Sequence, residues 1–145
     1  MPANSQFAIA IHVLTLLAQS DGEPITSEFM AGSVNTNPVF VRRILGFLHR
    51  AGLVVSQPGV GGGWQLCRDP EMITLLTVYK AVHEGDLLTM HTRQPNPDCV
   101  VGRNIQKALT FYFHEAEQAF EQSLAQQTIA QVLQTVQHKP QIQAS

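Results

Sequence analysis

Residues 37–67 read NPVFVRRILGFLHRAGLVVSQPGVGGGWQLC, and the interpretation of the whole chain turns on this stretch. Asn37 is a strong helix N-cap, because its side-chain oxygen accepts from backbone N–H groups that lack a partner inside the helix. Pro38 comes next, at the first helical position, where no donor is lost and the fixed φ already suits the helix. The residues after it divide between two faces. Val41, Ile44, Leu45 and Leu48 share one stripe at helical spacing, while Val39, Arg42, Arg43, Gly46, His49 and Arg50 share the other. Such a helix can rest its apolar back on a core and present a cationic front to an anion. Gly52 supplies the stop.

Beyond Gly52 the chain is not helical. Leu53-Val54-Val55-Ser56 and Trp64-Gln65-Leu66-Cys67 are β-prone, and the segment between them, Pro58-Gly59-Val60-Gly61-Gly62-Gly63, cannot hold regular structure. The spacing predicts a hairpin with a glycine tip. A phosphate loop is excluded, since no Gly-Lys-Ser/Thr comes after it and the glycines lead into a strand rather than a helix N-terminus. Residues 25–68 therefore read as two short helices, a turn and a hairpin, which is a winged helix-turn-helix.

Ala51-Gly52-Leu53-Val54 with Ser56, then Gly61-Gly62-Gly63-Trp64-Gln65-Leu66, then Ile73-Thr74-Leu75 and Ala81-Val82, resemble the bacterial regulator family that contains IscR, NsrR and CymR. The resemblance covers roughly residues 5–136. It implies an N-terminal winged helix-turn-helix followed by a long dimerisation helix. Many members carry an arginine just before the wing glycine, where this chain has Pro58. Gln57 and backbone amides would have to stand in for that cation.

Composition bounds the reading. A chain of 145 residues, 44% hydrophobic and 14% charged, can bury a core and is not disordered. The longest apolar run, residues 7–18, is broken by His12 and Thr15 and has no basic lead-in, so neither a signal peptide nor a membrane anchor is expected. Two cysteines, Cys67 and Cys99, cannot make a secreted disulfide framework, and a cytoplasmic setting is expected. The net charge of −2 speaks against nucleic acid, yet residues 26–68 carry Arg42, Arg43, Arg50 and Arg68 against Glu28 alone. Attraction to phosphate depends on the charge of the docking face. The blander alternative is that these arginines form a solvated face.

Elsewhere the pattern predicts a helix over 5–18, a loop over 21–24, a helix over 28–34 capped by Thr26 or Ser27, and a helix from Thr74 to about His83. A longer helix is expected over 102–125, with Ile105, Leu109, Tyr112, Phe113, Ala116, Phe120 and Leu124 as its apolar seam. Thr128 and Gln131 match a capping box that opens a short final helix. The division expected is 1–85 for the winged helix-turn-helix, 86–101 for a connecting loop, 102–137 for the dimerisation helix with the short terminal helix, and 138–145 for a loose tail, all within one structural domain.

Six histidines fall into no catalytic pairing, and neither HExxH nor CxxC occurs, so no enzyme is expected. His83, His91, Cys99 and His114 match no standard metal spacing. Relatives with an iron–sulfur cluster place three evenly spaced cysteines before the dimerisation helix. Aligned on that loop, Cys99 takes the middle position and Arg93 and Ile105 the outer two, which cannot ligate iron. No cofactor or metal is therefore expected, and the resemblance is to the cluster-free, YwnA-like branch. Cys99 at the head of the long helix is a candidate redox sensor, because a helix N-terminus favours the reactive thiolate and Arg103 could reinforce it. Alternatively it is a small buried hydrophobe.

The sequence thus points to a mainly α fold with a small β-hairpin wing and a long C-terminal dimerisation helix. The expected function is a homodimeric, sequence-specific regulator of transcription, a repressor by family resemblance. Its partners are double-stranded DNA and a second copy of itself, with no membrane. The expected DNA-contacting residues are Thr36, Asn37, Val39, Arg42, Arg43, Arg50, Gln57, Gly59, Gly61 and Gly62. A rival reading is a winged-helix protein-interaction module that has lost DNA binding, in line with the acidic total and Pro58.

Overall fold

The most apolar stretch of the chain becomes α1 (Ser5–Gln19) in the computed structural model, which describes residues 5–138. Ala10, Val13, Leu14 and Leu17 are its buried face. They meet Met30 from α2 (Ser27–Val34), the predicted stripe Val41, Ile44, Leu45 and Leu48 from α3 (Pro38–Arg50), and Val78 and Val82 from α4 (Leu75–Val82). These side chains form one apolar cluster. No helix among the described residues is long and apolar enough to cross a membrane.

Both ends of α3 form as the residues dictate. Asn37 Oδ1 accepts from the Phe40 N–H at 2.8 Å. At the other end Gly52, at φ +76°, donates to His49 O at 2.9 Å, and Leu53 donates to Leu48 O at 3.0 Å. This pair of bonds is a Schellman stop, and its usual apolar contact is present because Leu48 and Leu53 are both fully buried.

The stop turns the chain directly into the hairpin of β1 (Val54–Gln57) and β2 (Gly63–Leu66), paired antiparallel with Val54 opposite Leu66 and Gln57 opposite Gly63. The residue between the expected loop and α2 contributes to this sheet as well. Ile25 and Trp64 exchange backbone hydrogen bonds of 3.0 and 2.8 Å, so Ile25 extends the hairpin edge by one bridge. Gly63 makes this possible: a Cβ there would lie 2.7 Å from the Ile25 carbonyl group. The Gln65 side-chain amide adds a tether by donating to Gly22 O.

Thr74 caps α4, accepting from the Thr77 N–H at 3.1 Å. The chain then runs without regular structure to α5 (Val100–Ala125), which begins two residues earlier than the pattern predicts and has no buried residue. Its main packing partner is α4. The capping box of α6 (Ile129–Gln137) is complete, with Thr128 N to Gln131 Oε1 at 2.8 Å and Gln131 N to Thr128 Oγ1 at 3.2 Å.

The placement of α6 departs from the sequence-based grouping with the long helix. Leu75 donates to Gln127 O and Ile129 to Ile73 O, both at 2.9 Å, which brings α6 back to the base of α4. From there α6 lies against α1, and Ile129 is fully buried in the winged-helix core. Helical spacing announces a helix but does not name its partner. Of the tail expected from 138 on, residues 139–145 lie outside the described residues. If α6 is part of the core, Ile129→Ala should lower unfolding free energy by about 2–5 kcal/mol. Urea midpoints would show this. A loss under about 1 kcal/mol would make α6 a mere appendage.

Candidate nucleic-acid interface

Two short helices and a left-handed turn set the geometry of the cationic face. Thr26 Oγ1 caps α2 by accepting from the Phe29 N–H at 3.1 Å, and Asn35 closes the helix at φ +65°. Thr36, half-buried, donates its N–H to Ala31 O at 3.0 Å. Asn37 gives its side-chain oxygen to the α3 cap, which leaves its amide nitrogen for an outside partner. Val39 stands exposed beside it on the first turn of α3.

The three arginines of α3 are held in two different ways. Arg42 Nη1 reaches Glu28 Oε2 at 3.0 Å and Ser27 Oγ at 3.1 Å, so it bridges α3 to α2. Both partners of that ion pair are well exposed, and such pairs contribute about 0.2–1 kcal/mol. So weak a pair leaves the Arg42 guanidinium available to a stronger acceptor. Arg43 and Arg50 instead lie over the ring of Phe47, with their guanidinium carbons 5.8 and 5.0 Å from its centroid. Neither pairs with a carboxylate among the described residues. Phe47 is a platform the sequence reading did not single out. Its spacing, four residues after Arg43 and three before Arg50, is the signal that carries it.

His49, placed on the front by helical spacing, turns toward the hairpin. Its Nδ1 lies 3.1 Å from Val54 O and its ring stands edge-on to Trp64, so it joins α3 to the wing. At the wing tip Gly62 donates to Gly59 O at 3.1 Å, while Gln57, Gly59 and Gly61 are exposed. Val60 projects from the tip fully exposed, an apolar residue in place of a cation.

The expected seam of α5 divides. Phe120 turns inward onto Tyr79, with ring centroids 5.1 Å apart, and so serves the chain's own packing. Ile105, Leu109, Phe113 and Leu124 are half-buried, and Ala116 is exposed. The aromatic surface left open is Tyr112 at 65% exposure and its edge-on neighbour Phe111 at 62%. Phe111 is an addition to the expected set.

Cys99 is the exposed N-cap residue of α5 and makes no side-chain capping bond. The expectation of a buried alternative therefore does not apply. Arg103, expected to support its thiolate, instead donates from Nη1 to Pro97 O at 3.1 Å. The donor set does not suit an iron–sulfur cluster: of the three aligned positions only Cys99 offers a thiolate, and Arg93 and Ile105 offer no ligand. Among the described residues no three His, Cys, Asp or Glu side chains gather as a metal site would require.

Comparison with known proteins adds to this geometry. Residues 3–135 match the family described as Rrf2, iron-dependent transcriptional regulator. YwnA of Bacillus subtilis, which bears the name of an HTH-type transcriptional regulator, is 42% identical over 130 residues, spanning 90% of this chain and 96% of that one. A crystal structure described as that of a DNA-binding protein superposes with a TM-score of 0.72 at 38% identity, covering 88% of this chain and 98% of that chain. CymR, the global cysteine regulator of Bacillus subtilis, shares the fold at a TM-score of 0.68 and 18% identity, over 90% of this chain and 94% of its own.

Proposed function

This chain belongs to the Rrf2 family of transcriptional regulators, and on that premise we propose that it acts as a cytoplasmic homodimer that binds operator DNA and represses transcription. The observation that carries the reading is the α3 front, where Arg43 and Arg50 lie over Phe47 without a carboxylate partner among the described residues. Thr36, Asn37, Val39, Arg42 and Arg43 face the major groove in this reading, and Arg50 lies nearer the phosphates. Gln57, Gly59, Gly61 and Gly62 approach the flanking backbone, with Val60 against sugar. The iron in the family's description does not carry over, since two of the three cluster positions hold Arg93 and Ile105.

Gel-shift titration on the promoter upstream of its own gene tests this. Arg43→Ala should relax base preference by about 1–3 kcal/mol at one position. Arg50→Ala should weaken all sequences alike and reduce the salt slope by about 1. Promoter activity should rise when the gene is deleted. Unchanged binding in both variants would remove the α3 front as the reading element, and a wild type that shows no salt-dependent binding would favour the rival reading, an interaction module without DNA binding, in line with the cation-free wing tip.

The dimer is proposed through α5, which has no buried residue and leaves Phe111 and Tyr112 open. Two recognition helices held roughly 34 Å apart would then meet successive major grooves. Phe111→Glu and Tyr112→Glu should yield monomers by sedimentation at micromolar concentration with the fold retained. Phe120→Glu should instead destabilise the monomer, because its ring lies on Tyr79. A monomeric wild type would remove the interface.

A thiol response is the remaining part of the proposal. Cys99 is exposed at the head of that helix, where an oxidised sulfur would alter how α5 starts. Mild peroxide should lower operator affinity of the wild type, and Cys99→Ser should lose the effect. A Cys99→Ser protein that responds like wild type would rule this switch out.

A further inference from the structure

Tyr79 is the most crowded polar side chain of α4. Phe7 and Phe120 meet its ring edge-on at 5.3 and 5.1 Å, and the His83 imidazole stacks on it at 4.5 Å. The residue is only 9% exposed, yet its hydroxyl has no hydrogen-bond partner among the described residues, and neither does His83 Nε2. Native proteins rarely leave buried polar atoms unsatisfied.

Both residues line a recess of about 130 Å³ between α4, the turn at Gly85 and the C-terminal half of α5. Asp86, Glu117, Phe120 and Glu121 complete the wall, so its charge is wholly carboxylate. Burial first, then the nearby Glu117 and Glu121 carboxylates, push the Tyr79 hydroxyl above the ordinary tyrosine range. Glu117 and Glu121 are also like charges one helical turn apart, a mildly destabilising pair on their own. Asp86 and Glu117 continue into a second groove of about 360 Å³ under the 88–90 segment, where Leu88, Met90 and Phe113 offer apolar surface.

We propose that this recess binds a small organic cation, a protonated amine with a short alkyl tail, at the joint between α4 and α5. The ammonium N–H groups donate to Glu117 and Glu121, to Tyr79 Oη and to His83 Nε2. The Phe120 ring adds cation–π attraction, and the tail runs along the groove past Phe113. A ligand there ties the winged-helix core to the helix proposed to hold the two recognition helices apart. Its effect on operator affinity rests on the regulator reading. Its binding does not.

The test is calorimetric titration of the full-length protein with n-butylammonium chloride, against n-butanol and sodium butyrate at matched ionic strength. One cation should bind per chain with a Kd of about 1 mM or tighter, a strength within reach of five heavy atoms. The neutral and anionic analogues should bind at least about tenfold more weakly. Glu117→Gln and Glu121→Gln, half-buried and of unchanged shape, should each weaken the amine about tenfold while leaving operator affinity without amine unchanged. Tyr79→Phe should weaken it several-fold and keep the ring packing. The His83 ring resonances should shift on saturation. Equal binding of butanol, unchanged affinity in both glutamine variants, or no binding up to about 10 mM would overturn the site. If the amine binds but Arg43→Ala and Arg50→Ala leave DNA affinity intact, the site stands and the regulator mechanism falls.

Discussion

The wing is anchored by a contact between two backbones. Ile25 lies so close to Gly63 that no side chain fits between them, and the two hydrogen bonds it exchanges with Trp64 hold that approach. Ile25 immediately precedes the α2 cap, so the bridge fixes the hairpin to the start of the helix-turn-helix as well as to its end. The Schellman stop after α3 supplies the second attachment, and His49 spans the gap at Val54. A two-stranded hairpin alone is marginal in water. This one borrows rigidity from both helices it has to stay in register with. Any residue other than glycine at 63 would separate the strand from Ile25 and leave the wing to swing on one hinge.

The arginines on α3 illustrate how a front of like charge can be kept in order without carboxylates. The Phe47 ring holds Arg43 and Arg50 beside it while leaving their charge uncompensated, and the arrangement costs little to desolvate because guanidinium is weakly hydrated. Arg42 is restrained through a weak exposed ion pair instead. The helix therefore carries two arginines seated on a ring and one held by a carboxylate. The acidic total of the chain does not contradict this, since much of the negative charge resides elsewhere, including Glu115, Glu117 and Glu121 along α5.

Much of this was legible in the residues. Asn37-Pro38 and Gly52 bracket α3 because capping is local chemistry, and Thr128 with Gln131 announces α6 for the same reason. The hairpin is announced by β-branched residues around glycine. What could not be read was partnership across distance. Ile25 carries no strand pattern, since a single bridge needs only one extended residue. The burial of Ile129 against α1 depends on a backbone return that no periodicity records. On α5, apolar residues occupy more than one face, so spacing alone could not separate Phe120, which turns to Tyr79, from Phe111 and Tyr112, which stay open. The three arginines were visible as a cationic face, whereas their different tethers were not.

The return of α6 to α1 also governs the order in which the protein can become complete during synthesis. Ile129 fills the interior beside residues laid down at the start of the chain, and it leaves the ribosome only after the whole of α5. Translation at roughly 5–20 residues per second makes that a delay of seconds, long compared with helix formation. A nascent chain thus exposes its long helix while its DNA-reading part still lacks a piece of its core. The winged-helix core is therefore complete only once the segment beyond α5 has returned to α1.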